Sequence, residues 1–187
     1  DELVPAAREA LVWLDRAMAH GAPLAEVAPL RDAVEAALDE LSREEEALAA
    51  QWARAPETLT VDELERLAFV LRRDAPAKAA PVFDALFAVR PSPGVKALAL
   101  LSRGAGVTEL EPVLAEPWEK AERLVLEEVE VAILEQTTGA DFEAHWQWAT
   151  QKGEALDFPF PTAWPHQERL FARLWALGDY RRARALG

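Results

Sequence analysis

Apolar residues recur along most of this chain at intervals of three and four positions, which is the spacing of one face of an α-helix. The strict alternation of apolar and polar residues that marks a half-buried strand is missing almost everywhere. Proline and glycine divide the pattern into segments, so that about ten helices with short connections are predicted. The predicted fold class is all-α, as a HEAT-like array of helix pairs or an irregular helical bundle.

Several helix ends are marked by residues with a specific physical role. Gly21 is suited to end the first helix, because it tolerates the left-handed backbone found after a helix C-terminus. Thr60–Glu63 and Thr108–Glu111 have the form of a capping box, in which a hydroxyl and a carboxylate satisfy free amide groups. Helix starts are accordingly predicted at Pro29, Thr60, Thr108, Pro117 and Asp141.

The composition changes near residue 153, where proline and aromatic residues replace the leucine- and alanine-rich pattern. Residues 1–153 are predicted to form a helical, HEAT-like body. Residues 154–187 are predicted to form a strap containing Phe158–Pro161 and Trp164, followed by a C-terminal helical hairpin. We expect the strap and hairpin to pack on the body, so that the whole chain is a single domain.

The overall composition excludes several classes of function. The 187 residues contain no cysteine, which excludes disulfides, thiolate metal sites and cysteine nucleophiles. No stretch approaches the roughly 18 apolar residues that a membrane span requires. The net charge of −13 disfavours direct contact with nucleic acid, because phosphates are bound by lysine and arginine. We therefore expect a cytoplasmic protein that binds neither membranes nor nucleic acid; the oligomeric state stays open.

Charge is distributed unevenly along the chain. Residues 109–143 carry eleven acidic side chains and two basic ones, whereas residues 165–187 carry five arginines and two acidic residues. An acidic helical face favours a basic protein partner. The same residues are also explained as the solvated outside of a helix. The predicted partner-binding acidic face consists of Glu109, Glu111, Glu116, Glu119, Glu127, Glu128, Glu130 and Glu135.

The chain contains seven tryptophans, which differ in their surroundings. Trp13, Trp52 and Trp175 follow helical apolar stripes and are predicted to pack in or beside the core. The aromatic residues near the proline-rich segment either pack across the helices as a strap or contact a partner. A second predicted partner-binding set, aromatic and basic, consists of Trp148, Phe160, Trp164, Arg181 and Arg182.

No residue pattern points to a specific reaction, and we predict no catalytic residue, metal or cofactor. Of the three histidines, His20 is explained as a helix cap and His166 is predicted to be exposed without a partner. Asp141 and His145 share a helix face, but two ligands are too few for a metal site. The enzyme alternative is a small α-helical hydrolase or metal enzyme that uses Asp141, His145 and a carboxylate such as Glu128.

Several segments are similar to known helical repeats. Arg8–Ala17, with Leu30–Asp32 and Leu38–Leu41, resembles the start of a bacterial HEAT-like-repeat family of unknown function, often encoded near type VI secretion genes. Thr137–Asp141 is similar to that family's Thr-Gly turn, and Phe158–Pro161 with Trp164 matches its Pro- and Trp-rich tail. The resemblance implies a helical scaffold for protein binding and supplies no catalytic residues. Leu174–Ala183 is also similar to the helix junction of a tetratricopeptide unit.

These observations together favour a binding protein. The predicted function is a non-enzymatic adaptor or accessory protein that engages a basic protein partner through its acidic surface. One alternative is an immunity or inhibitor protein that masks the basic cleft of a nuclease or toxin.

Overall fold

The computed structural model of the chain describes residues 3–157 and 159–186, so that Phe158 of the predicted strap lies outside the described residues. The described part is built of helices and contains no strand, which confirms the all-α prediction. None of these helices is both long and apolar enough to cross a membrane. The ten α-helices of the described residues are α1 (Leu3–Ala19), α2 (Leu24–Arg54), α3 (Val61–Asp74), α4 (Pro76–Val89), α5 (Pro93–Arg103), α6 (Val107–Leu114), α7 (Arg123–Gln136), α8 (Gly139–Ala155), α9 (Trp164–Ala176) and α10 (Tyr180–Leu186).

The predicted helix starts are correct in one case and displaced in the others. The capping box at Thr60 is confirmed, because the Thr60 Oγ1 accepts from the Glu63 amide and the Glu63 carboxylate accepts from the Thr60 amide. The hydrogen bond to Thr60 also lowers the pKa of Glu63. The predicted start at Pro29 is wrong, because α2 already begins at Leu24 and tolerates a proline near its N-terminus.

The three remaining starts are also wrong, and in two cases a nearby residue with an extended backbone caps the helix instead. Gly106 is the N-cap of α6, and the Glu109 carboxylate accepts from its amide at 3.1 Å. Helix α8 begins at Gly139 after the extended Thr138, rather than at Asp141. Pro117 begins no helix, since α7 starts at Arg123 after a short 3-10 turn.

The chain divides into two compact units, residues 1–73 and 74–187. This division falls before α4, whereas the sequence analysis placed its boundary at residue 153 inside a single domain. In the N-terminal unit, α1 packs along α2, and the Arg31 guanidinium joins them through an ion pair with Asp15 at 3.0 Å. A second ion pair, from Arg66 to Glu44, connects α3 to α2.

Helix α7 lies at the centre of the C-terminal unit. Helices α5, α6, α8 and α9 all pack against it, and eight of its residues are buried. One hydrophobic cluster on α7 includes Val129 and Ile133 and extends to Trp118. A second cluster includes Leu134 and continues onto α9 through Leu170 and Leu174. Two of the carboxylates that α7 carries, those of Glu127 and Glu130, are therefore held in the interior of this unit.

Candidate functional site

Two glutamates of α7, Glu127 and Glu130, are each only 1% exposed. The prediction that they belong to an exposed acidic face is therefore wrong. The physical reason is that four helices surround α7, which leaves these positions no path to solvent. A buried carboxylate is stable only when it finds partners or takes up a proton, so the surroundings of both residues define what they do.

Glu127 caps the N-terminus of α9 from outside that helix. Its Oε2 accepts from the Thr162 amide and its Oε1 from the Ala163 amide, both at 2.9 Å. Its Oε1 also lies 2.7 Å from the Nδ1 of His166. Because a carboxylate can only accept, the proton of the imidazole lies on Nδ1. Glu127 thus satisfies the amide of Ala163, which is the N-cap residue of α9, and the amide of Thr162 before it.

His166 was predicted to be exposed and without a partner, and that prediction is wrong. Its side chain is 12% exposed, since the Glu127 carboxylate holds it against the core. The contact joins residues 39 positions apart in the sequence, so local spacing gave no sign of it.

Glu130 meets a histidine instead of backbone amides. Its Oε2 lies 3.7 Å from the Nδ1 of His145, a distance typical of an ion pair but longer than a hydrogen bond. Neither oxygen of Glu130 has a hydrogen-bond partner among the described residues. On its other side, His145 Nε2 lies 3.2 Å from Oε1 of Glu111 on α6. His145 of α8 is therefore placed between a buried carboxylate and an exposed one.

The pKa values of this group follow from burial and charge. Burial raises the pKa of Glu130, because the charged form loses its hydration, and the nearby His145 opposes this change. The Glu130 carboxylate raises the pKa of His145, with a smaller contribution from Glu111 in the same direction. The protonated imidazole is therefore the favoured form of His145 over a wider pH range than in a free histidine.

A cleft opens beside this histidine, between α6 and α8, with a volume of about 310 Å³. Apolar side chains form most of its wall, whereas a carboxylate and an imidazole stand at one end. We call it the α6–α8 cleft; its lining residues are Glu111, Leu114, Ala115, Ala144, His145 and Trp148.

The predicted enzyme site included His145, which the structure places in a cleft. The two carboxylates of that predicted site, however, are not the ones that pair with His145. Asp141 is exposed in the first turn of α8, and Glu128 lies near Arg169. The carboxylates that meet His145 are Glu111 and Glu130 instead. In the part of the chain that the structure describes, no group of three or more histidine, aspartate or glutamate residues has a geometry that could hold a metal ion.

Most of the other predicted acidic residues have partners within the C-terminal unit. Glu109 accepts from the Gly106 amide, and Glu116 pairs with Lys96 at 2.5 Å. Glu135 accepts from Arg169 in a two-pronged contact at 2.9 and 2.5 Å. Glu111 and Glu119 are exposed. The acidic segment is therefore divided between internal contacts and solvent, and does not form one continuous face.

The predicted aromatic and basic set is also divided. Trp148 and Phe160 are partly buried and pack against the two hydrophobic clusters, as a strap requires. Arg182 pairs with Glu143 at 2.8 and 2.6 Å and lies over the ring of Trp146. Only Trp164, which is 66% exposed, and the exposed Arg181 face solvent.

An aromatic surface that the sequence analysis missed lies on α9 and α10. Phe171 stacks on Trp175 with ring centroids 5.8 Å apart, and Tyr180 contacts Trp175 edge-on at 4.9 Å. Trp164, Phe171 and Trp175 share one helix face, because they occupy positions i, i+7 and i+11. We define the aromatic surface as Trp164 (66% exposed), Phe171 (40%), Trp175 (54%) and Tyr180 (51%).

A hollow of about 400 Å³ lies at one end of the aromatic surface, lined by Trp164, Gln167, Glu168, Phe171 and Leu186. The prediction that Trp175 packs in the core is wrong, because Leu170 and Leu174 already supply the face of α9 that meets the core. The sequence of α9 contains a second apolar stripe besides the one that meets the core, and this pattern could have predicted the aromatic surface. The core prediction also fails for Trp13, which is 59% exposed.

Comparison of the chain with protein-family models, with curated proteins and with solved structures finds no match. The resemblance to HEAT-like repeats stays a prediction.

Proposed function

We propose that this chain is a protein-binding adaptor without enzymatic activity, and that its docking surface is the aromatic surface of α9 and α10. The observation that carries the proposal is that three large aromatic side chains of one helix, with a tyrosine beside them, are exposed together. Contiguous apolar patches are uncommon on the free surface of monomeric proteins and mark interaction sites. Tryptophan, tyrosine and arginine are also the residues that most often dominate binding energy.

The exposed arginines beside the aromatic surface support a partner segment with acidic side chains. Arg181 and Arg184 are exposed on α10, and Arg184 lies one helical turn from Tyr180. The complementary partner segment carries an apolar side chain that fills the hollow and acidic side chains that face the two arginines. This chemistry is the reverse of the basic partner that the net charge of the chain predicts.

Site-specific photo-crosslinking tests this proposal. A photoreactive amino acid at Ala172, which is exposed on α9 between Phe171 and Trp175, is expected to capture one protein in lysate of the source organism. The same group at the exposed Ala121 is the matched control and is expected to capture nothing comparable. Equal capture from both positions would mean that the aromatic surface is not the docking site.

Binding to the purified captured protein gives the quantitative measurement. Trp175→Ala is expected to raise the dissociation constant at least tenfold, because truncating a central aromatic anchor costs about 2 kcal/mol or more of binding free energy. Trp13→Ala removes an equally exposed tryptophan of the N-terminal unit and is expected to leave the affinity unchanged. Arg184→Glu is expected to slow association and to reduce its dependence on salt.

The mass of the purified chain in solution distinguishes binding of a partner protein from self-association. Light scattering of the wild-type chain is expected to give the mass of a monomer at the concentrations used for binding. A dimer that Trp175→Ala converts to monomer would contradict the proposal, because a second copy would then occupy the aromatic surface.

A further inference from the structure

A second binding site, separate from the aromatic surface, lies in the α6–α8 cleft. We infer that this cleft binds an alkylguanidinium group, such as the side chain of an arginine. The inference does not depend on the proposed function, because it uses no residue of α9 or α10. Its volume of about 310 Å³ lies at the lower end of the range of ligand pockets, which suits a single side chain better than a large cofactor.

The walls of the cleft match the stem of such a group. Leu114, Ala115 and Ala144 provide apolar contact for a chain of methylene groups, and the indole of Trp148 lines the same space. A guanidinium is planar and weakly hydrated, so it stacks on an aromatic ring more favourably than an ammonium does. The lining therefore favours arginine over lysine.

The carboxylate of Glu111 in the cleft is complementary to the positive charge of a guanidinium. Oε1 of Glu111 is held by His145 Nε2 at 3.2 Å, and the side chain of Glu111 remains 51% exposed. Among the described residues, its Oε2 makes no hydrogen bond, and this oxygen is free to accept from a ligand. A guanidinium N–H directed along the cleft meets that acceptor.

A second carboxylate, that of Glu130, lies behind the lining of the cleft, on the other side of His145 from Glu111. It is buried behind His145, and neither of its oxygens has a hydrogen-bond partner among the described residues. One protonated imidazole stands between the two carboxylates, so that the group carries a negative charge when both carboxylates are ionised. A cationic ligand at Glu111 neutralises that charge, whereas an anionic ligand is repelled.

The probe pair for the test is Nα-acetyl-arginine amide and Nα-acetyl-citrulline amide, which differ only in whether the end group is a cation or a neutral urea. The indole signal of Trp148 in the ¹⁵N-labelled chain is followed during titration, after sequential assignment. The arginine compound is expected to shift this signal saturably, with a midpoint in the millimolar range or below. The citrulline compound is expected to bind at least tenfold more weakly.

Matched glutamate variants locate the binding. Glu111→Gln is expected to weaken arginine binding at least tenfold, whereas Glu119→Gln, which removes an exposed charge of the same acidic segment, is expected to have no effect. Absence of a saturable shift at Trp148, equal binding of both compounds, or unchanged binding to Glu111→Gln would each overturn the inference. The comparison of the two compounds uses the wild-type chain, so the test does not depend on the folding of a variant.

A third probe separates a side chain of a partner protein from a free small molecule. Agmatine carries the same guanidinium with a second cation in place of the peptide groups. Tighter binding of the capped arginine assigns the cleft to a protein-borne arginine, and tighter binding of agmatine assigns it to a free guanidine compound. Both results support the alkylguanidinium class.

Discussion

Replacing Glu127 by alanine is expected to lower the free energy of unfolding by about 3 kcal/mol. The variant leaves the amides of Thr162 and Ala163 and the Nδ1 of His166 without their common acceptor. Water replaces only part of these contacts, because the carboxylate is buried. Urea denaturation at pH 7 measures the loss.

Two further variants separate the role of the Glu127 hydrogen bonds from a general effect of removing charge. Glu127→Gln retains one acceptor oxygen and is expected to lose about half as much stability as the alanine variant. Glu168→Ala removes an exposed glutamate of α9 and is expected to change stability by less than about 0.5 kcal/mol. Hydrogen exchange at the start of α9 is expected to accelerate in Glu127→Ala alone. Similar losses for positions 127 and 168 would contradict the capping role.

Replacing His145 by alanine is expected to lower the free energy of unfolding by about 3 kcal/mol at pH 7, because it leaves the buried Glu130 without its only positive neighbour in this group. The loss is expected to diminish as the pH is lowered, because Glu130, whose pKa is raised by burial, takes up a proton instead. The double variant Glu130→Gln/His145→Ala is expected to recover at least half of the lost stability at pH 7. Unchanged stability of His145→Ala between pH 5 and 8 would contradict this account.

The direction of the pH dependence in the wild-type chain follows from the same pair. The folded state raises the pKa of His145 above 6.5 and that of Glu130 above 4.5, so for both groups the folded state binds more protons than the unfolded state. Their contributions are fully present below the unfolded pKa values and are lost as the pH rises through the folded ones. The stability is therefore expected to fall as the pH rises above the unfolded values of 4.5 for Glu130 and 6.5 for His145, and Glu130→Gln is expected to flatten this slope.

The all-α fold and some of its helix ends were predictable because they depend on local chemistry. The capping box at Thr60 needs only side chains three positions apart, and Gly104 ends α5 because its left-handed backbone, with φ of 71°, suits a residue without a Cβ. A residue with an extended backbone near a capping-box sequence can, however, take the N-cap position instead. For that reason Gly106 displaced the predicted start at Thr108.

The candidate sites were less predictable because they depend on how many neighbours a helix has. Glu127 and Glu130 were assigned to a solvated face, since charged residues normally mark one. The sequence of α7 nevertheless carries apolar residues on more than one side, including Val129, Val131 and Ile133, and such a helix is buried over most of its surface. Helix α9 carries more aromatic residues than the one face that meets the core requires. An exposed apolar stripe on its other face could have been predicted from this.

The capping of α9 by Glu127 has a consequence for the order of events during synthesis. The carboxylate on α7 leaves the ribosome about 35 residues before the backbone amides that it will accept from. Until Thr162–His166 have left the ribosome, the carboxylate of Glu127 stays hydrated. During that time α7 cannot be covered on the side where α9 later packs. The C-terminal unit therefore completes its interior only after α9 has been translated, and a nascent chain that ends before α9 exposes the apolar residues of α7 to chaperones.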